Sequence, residues 1–141
     1  MARHNSRGRR KSGPPFVQLF THLLKSEAWQ SLKPAARAIY IAITQRYDGT
    51  NNGYLAASVR DLASECHADK NTVMASLNVL IERGLIERTQ ASSFSCKVRL
   101  APEYRLTCHY CDRSGQKASH AFRAWCKGGG GGADDDHDEA A

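Results

Sequence analysis

The stretch that most restricts this chain is "SVRDLASECHADKNTVMASLNVLIERG", residues 58 to 84. Val59, Leu62, Ala63 and Cys66 recur at helical spacing, and Val73, Leu77, Leu80 and Ile81 do so again after a short polar break. Ser58, with Asp61 three residues on, has the form of a capped helix start. Asp69 repeats that device for a second helix over residues 70–83, and Gly84 ends it as a glycine in the left-handed region does. Only His67 and Ala68 separate the end of the first helix from the cap of the second, so the two apolar stripes must pack on one common core.

Two amphipathic helices joined by so short a turn form a helix-turn-helix. Upstream, "SLKPAARAIYIAITQRY" (31–47) reads as a helix in which Pro34 suits the first helical position, with Ala36, Ile39, Tyr40, Ile43 and Tyr47 on one stripe. "DGTNNG" (48–53) is turn chemistry that stops it. A short helix is expected over about 18–26, and a two- or three-residue strand at Tyr54–Leu55. Downstream, Leu85–Arg88 leads through "QASS" to Phe94, Cys96, Val98 and Leu100, which alternate with Ser95, Lys97 and Arg99. That period of two predicts a half-buried strand in a hairpin, with 104–107 as a further edge segment. "ASHAFRAWC" (118–126) spaces Phe122 and Trp125 for a short helix packed on the body. The fold class expected is mostly α with a small antiparallel β-hairpin.

The ends differ from this middle. Residues 1–13 hold five lysines and arginines and no acid, the composition of a disordered basic arm. Residues 127–141 run through five glycines into an acidic tail. These opposite charges nearly cancel, so most of the net charge of +6 rests on the middle of the chain, a basic body suited to a polyanion. No apolar run approaches the roughly 18 residues of a membrane span, and no apolar segment follows the charged N-terminus to make a secretion signal. Five cysteines, an odd number, do not form a secreted disulfide framework. A cytoplasmic, reduced protein is expected.

A helix entering the major groove N-terminus first presents its first-turn side chains to base edges. Lys70, Asn71 and Thr72 occupy that turn here, with Ser76 and Ala75 expected one turn further along the outer face. Asn can pair with adenine, Lys with guanine or phosphate, and the Thr methyl with thymine; Thr72 has the alternative role of a capping-turn residue. The hairpin carries Arg88, Ser93, Ser95, Lys97 and Arg99 and no acid between residues 88 and 99. Such a strand pair beside a recognition helix is the wing of a winged helix, laid along phosphates. Arg7, Arg9, Arg10 and Lys11 would follow the minor groove as a basic arm.

The segments "SEAWQSLKPAARAIYIAI", "YDGTNNG", "SVRDLA", "DKNTVMASLNVLIERGLIER" and "FSCKVRLAPEYRLT" resemble the winged helix-turn-helix domain of small bacterial helix-turn-helix proteins. Related domains occur in phage and plasmid replication initiators and, more distantly, in MarR-like regulators. The resemblance covers residues 16–126. It implies a double-stranded DNA partner, contacts from Lys70, Asn71, Thr72 and the basic residues of the wing, and a role in transcriptional regulation or in replication initiation. A winged fold used as a protein-interaction adaptor is a third reading, because fold alone does not set function. One departure is His67, where the family commonly has glycine in the turn; histidine tolerates the left-handed region better than most residues. Cys66 and Ala68 are smaller than the branched residues usual there.

Cys108 and Cys111, with His120 and Cys126, raise zinc as an option. On an ideal helix the last two would face opposite ways, so free thiols are the expectation, with no metal and no cofactor. The glycine run follows no strand and opens no helix, so it cradles no phosphate, and no enzymatic activity is expected. No long extra helix marks a dimer interface, and a homodimer stays open.

Overall fold

The computed structural model describes residues 14–95 and 98–127, with the side chains of residues 94, 95 and 98 outside that description. The basic arm, Cys96, Lys97 and the acidic tail therefore lie outside the described residues.

The body is a set of packed helices beside a small antiparallel sheet. α1 (Thr21–Leu24) and α2 (Glu27–Gln30) replace the single helix expected over 18–26. Ser26 divides them: its hydroxyl donates to the Leu23 carbonyl at 2.6 Å and accepts from the Trp29 amide at 3.2 Å. One side chain thus ends a helix and caps the next. α3 (Pro34–Thr44) has its proline in the first turn, and Ala36, Ile39, Tyr40 and Ile43 are buried as the stripe requires. It packs against both α4 (Val59–Cys66) and α5 (Lys70–Glu82). Trp29 meets Tyr40 edge to face, with ring centroids 5.3 Å apart, in the geometry aromatic quadrupoles favour.

β1 (Leu55–Ala56) and β2 (Ile86–Gln90) flank β5 (Glu103–Leu106) in a three-stranded antiparallel sheet ordered β1-β5-β2. The segment expected as an edge is therefore the central strand, with Tyr104, Arg105 and Leu106 buried. The long strand expected over 94–100 is instead two short strands, β3 (Ser93–Ser95) and β4 (Val98–Leu100), paired with each other. Alternation identified strand conformation correctly but carried no information about the partner. The pairs Gln90↔Glu103 and Ser93↔Leu100 keep one common register. β3 and β4 thus prolong the β2–β5 pair beyond a break at 91–92 and 101–102, where Pro102 has no amide to give a ladder. A register shift between Arg88 and Gln90 makes a bulge at Thr89, whose hydroxyl bonds the Gly53 carbonyl at 2.6 Å. Bulges bend and twist a ladder, and this one sets how the outer hairpin leaves the body.

Two features join the C-terminal part to this frame. Asn52, fully buried, donates to the carbonyls of Leu106 (2.9 Å), Tyr110 (2.9 Å) and His109 (3.3 Å) and accepts from the Leu106 amide at 2.7 Å. A 3-10 turn, Ala121–Ala124, stands where a short helix was expected. It still buries Phe122, and Trp125 lies under the Arg83 guanidinium at 4.5 Å. Cys108 and Cys111 face separate partners: the Cys108 thiol meets the Tyr40 hydroxyl at 3.6 Å and Cys111 the Asn52 carbonyl at 3.7 Å. Among the described residues no group of three or more His, Cys, Asp or Glu side chains is placed to hold a metal ion. Nor is any of their helices long and apolar enough to cross a membrane.

Candidate nucleic-acid interface

The turn between α4 and α5 determines which residues reach the surface. Ser58 caps α4 by accepting from the Asp61 amide at 3.0 Å. At its other end His67 adopts φ 53° and ψ 46°, and the Ala68 amide returns to the Ala63 carbonyl at 3.1 Å. This left-handed residue does the work glycine does elsewhere. Asp69 then accepts from the Thr72 amide at 2.9 Å, and the bonds from Thr72 hold its carboxyl below the usual range. An anion at that position also complements the positive end of the helix dipole.

From this start α5 buries Val73, Leu77 and Leu80 against α3 and α4 and exposes Lys70, Asn71, Thr72, Met74, Ala75 and Asn78. Ser76 corrects the sequence reading. Expected on the outer face, it is only 7% exposed, because it lies three residues after Val73 and four before Leu80 and so falls on the buried stripe.

Between α5, the N-terminal turn of α4 and the outer hairpin lies an open cleft. Lys70, Met74 and Asn78 form its helix wall, Ser58 and Arg60 the α4 side, and Arg88, Ser93, Arg99 and Leu100 the hairpin side, with Tyr104 below. Among the described residues Asp61 is the one acid along it. Four cations from four elements, Arg60 of α4, Lys70 of α5, Arg88 of β2 and Arg99 of β4, thus converge on one opening. Among the described residues the ion pairs join Arg46 to Glu65, Arg105 to Glu87 and Arg113 to Glu103, and none of the four cleft cations is in one. Arg88 lies over the Tyr104 ring at 5.8 Å, which holds its charge at the cleft edge.

Of the residues singled out in the sequence, the structure brings Lys70, Arg88, Ser93 and Arg99 together. Asn71 and Thr72 are exposed on the first turn of α5, beside the cleft rather than along it. The side chain of Ser95, together with Lys97 and the arm residues Arg7, Arg9, Arg10 and Lys11, lies outside the described residues. The sequence reading missed Arg60, Met74, Asn78 and Leu100. A signal existed for two of these, since Met74 and Asn78 follow Lys70 at successive spacings of four. Arg60 and Leu100 depend on long-range packing and had none.

Residues 30–86 match a family described as a helix-turn-helix domain. The match takes in α3, β1, α4, the turn at His67 and α5, and stops at the first residue of β2. The helix-turn-helix is therefore supported by its connectivity, its caps and its family pattern alike, and it points to DNA as a partner. The outer hairpin falls beyond the matched segment. No curated protein and no solved structure matches the chain.

Proposed function

We propose that this protein binds double-stranded DNA and regulates transcription, with α5 as the recognition helix in the major groove and the β3–β4 hairpin as a wing on the phosphate backbone. The cleft carries this reading. Among the described residues its cations stand outside the ion pairs, on four elements around an exposed helix start, and a helix of this length presents its first turns to base edges. The wing and α4 would supply sequence-independent phosphate contacts, while α5 supplies discrimination. Neither an enzymatic activity nor a cofactor is part of the proposal.

A binding selection tests it. Purified full-length protein is mixed with sheared genomic and plasmid DNA at physiological salt, and the retained fragments are sequenced. Discrete sites enriched at promoters are the expected result. Enrichment at an origin would replace regulation with replication initiation, and no enrichment at all would refute sequence-specific recognition.

A further inference from the structure

Met74 is 52% exposed on the outward face of α5, and Leu100 is 42% exposed on the hairpin across the cleft. Neither is needed for the core: α5 buries Val73, Leu77 and Leu80 without Met74. A single exposed apolar side chain needs no explanation. Two on facing walls of one opening, each beside a cation (Lys70 and Arg99), do invite one. Met74 also stands four residues after Lys70 and four before Asn78, and all three line the cleft. Residues at this spacing form one row along a helix.

We propose that Lys70, Met74 and Asn78 are a base-reading row, with Met74 seated on the C5-methyl group of a thymine. This rests on the DNA-binding reading above and names what one face of the site selects. The row runs about 12 Å along the helix axis, from a rise of about 1.5 Å per residue, or between three and four base steps at about 3.4 Å each. Its chemistry is ordered. A cation at the helix tip takes guanine or a phosphate, a thioether takes an apolar group, and an amide takes adenine. On the major-groove edges of the bases the thymine methyl is the apolar group on offer, and an unbranched methionine adapts its shape to it. Leu100 closes the opposite side against the sugar, excluding water from the contact. Duplex RNA, with its narrow major groove, gives such a row no access.

The test uses the full chain and a duplex enriched by the selection. Each thymine is replaced singly by deoxyuridine, which removes only the methyl group, and Kd is measured for the wild type, Met74→Ala and Met74→Leu. The wild type loses about fourfold at one thymine, as expected for one buried methyl group. Met74→Ala binds the parent duplex more weakly by a similar factor and shows no further loss at that thymine, whereas Met74→Leu retains the loss. If Met74→Ala keeps the wild-type pattern of losses, or no thymine shows one, the reading row is wrong while DNA binding stands. If the wild type binds no duplex at all, both the row and the DNA-binding reading fall.

Discussion

Replacing Asn52 by alanine should be among the most damaging single changes in the chain, and the structure permits its cost to be worked out. The side chain accepts from the Leu106 amide at 2.7 Å in a fully buried site. Removing that acceptor leaves a buried N–H without a partner, a cost of roughly 1–3 kcal/mol. The side-chain amide also donates to the carbonyls of Leu106, His109 and Tyr110. Losing its two N–H donors adds about 0.5–1.5 kcal/mol for each bond forgone. The sum is about 4 kcal/mol, a large share of the roughly 5–15 kcal/mol by which a domain is stable. Asn51, its neighbour, is only partly buried and bonds locally, to the Arg46 carbonyl and the Asp48 amide; Asn51→Ala should cost about 1 kcal/mol. Urea unfolding of the two variants compares them directly. With a slope of about 2 kcal/mol/M, Asn52→Ala should lower the midpoint by about 2 M, with the slope unchanged. A loss below about 1 kcal/mol, or equal losses for the two asparagines, would refute the claim that Asn52 ties β5 to the segment after it.

Gly84→Ala places a Cβ 2.8 Å from the Ala121 carbonyl carbon and 2.9 Å from its oxygen, at a φ of +76°. Thermal melting should show a loss of about 2–3 kcal/mol, with Trp125 fluorescence shifted as the 3-10 turn is pushed off α5. At His67 the left-handed backbone makes glycine an improvement of up to about 1 kcal/mol and valine a loss of more than about 1 kcal/mol. Chemical denaturation should therefore rank His67→Gly at or above the wild type and His67→Val below it. Burial, with His120 beside it, pushes the His109 imidazole below its ordinary value of 6.5. His120 shifts the same way through burial and the charges of Arg123 and His22. The unfolded chain then binds protons more readily than the folded one, so stability is full above the unfolded pKa and falls as pH drops through and below it. The ring of His109 meets Tyr47 at 4.6 Å and Phe20 at 5.2 Å, tilted against both, contacts that His109→Phe can keep. That variant should lose less melting temperature than the wild type between about pH 7.5 and about pH 5; an equal loss would place the sensitivity elsewhere.

What could be read in the sequence follows how locally each feature is determined. The helix faces of α3, α4 and α5 were legible because a stripe at a period of 3.6 depends only on neighbours a few residues away. The caps at Ser58 and Asp69 were legible for the same reason, as was the left-handed turn at His67. Ser76 was misplaced because a small polar residue inside a stripe reads as outward until the packing of α5 on α3 and α4 is known. Strand pairing was the least legible. The alternation at 94–100 marks strand conformation, yet nothing local to it tells that β5 returns between β1 and β2 and that β3 pairs with β4. Asn52 and Asn51 are indistinguishable within "TNNG", and only a chain segment more than fifty residues away makes one of them a hub. The cleft is likewise a product of tertiary structure. Lys70 was visible as a helix-tip cation, but Arg60 and Leu100 join it only once the hairpin has been placed.

The central claim is that the cations of the cleft lie on DNA phosphates, and the salt dependence of duplex affinity for Arg60→Ala/Arg88→Ala/Arg99→Ala measures it most directly. Each phosphate neutralised contributes about 0.9 to the slope of log K against log salt. The triple variant should therefore bind an enriched duplex with a slope shallower than that of the wild type by about 2.7, while still melting as a folded protein, since among the described residues none of the three is in an ion pair, although the contact of Arg88 with the Tyr104 ring is given up. An unchanged slope in a folded triple variant would contradict the account.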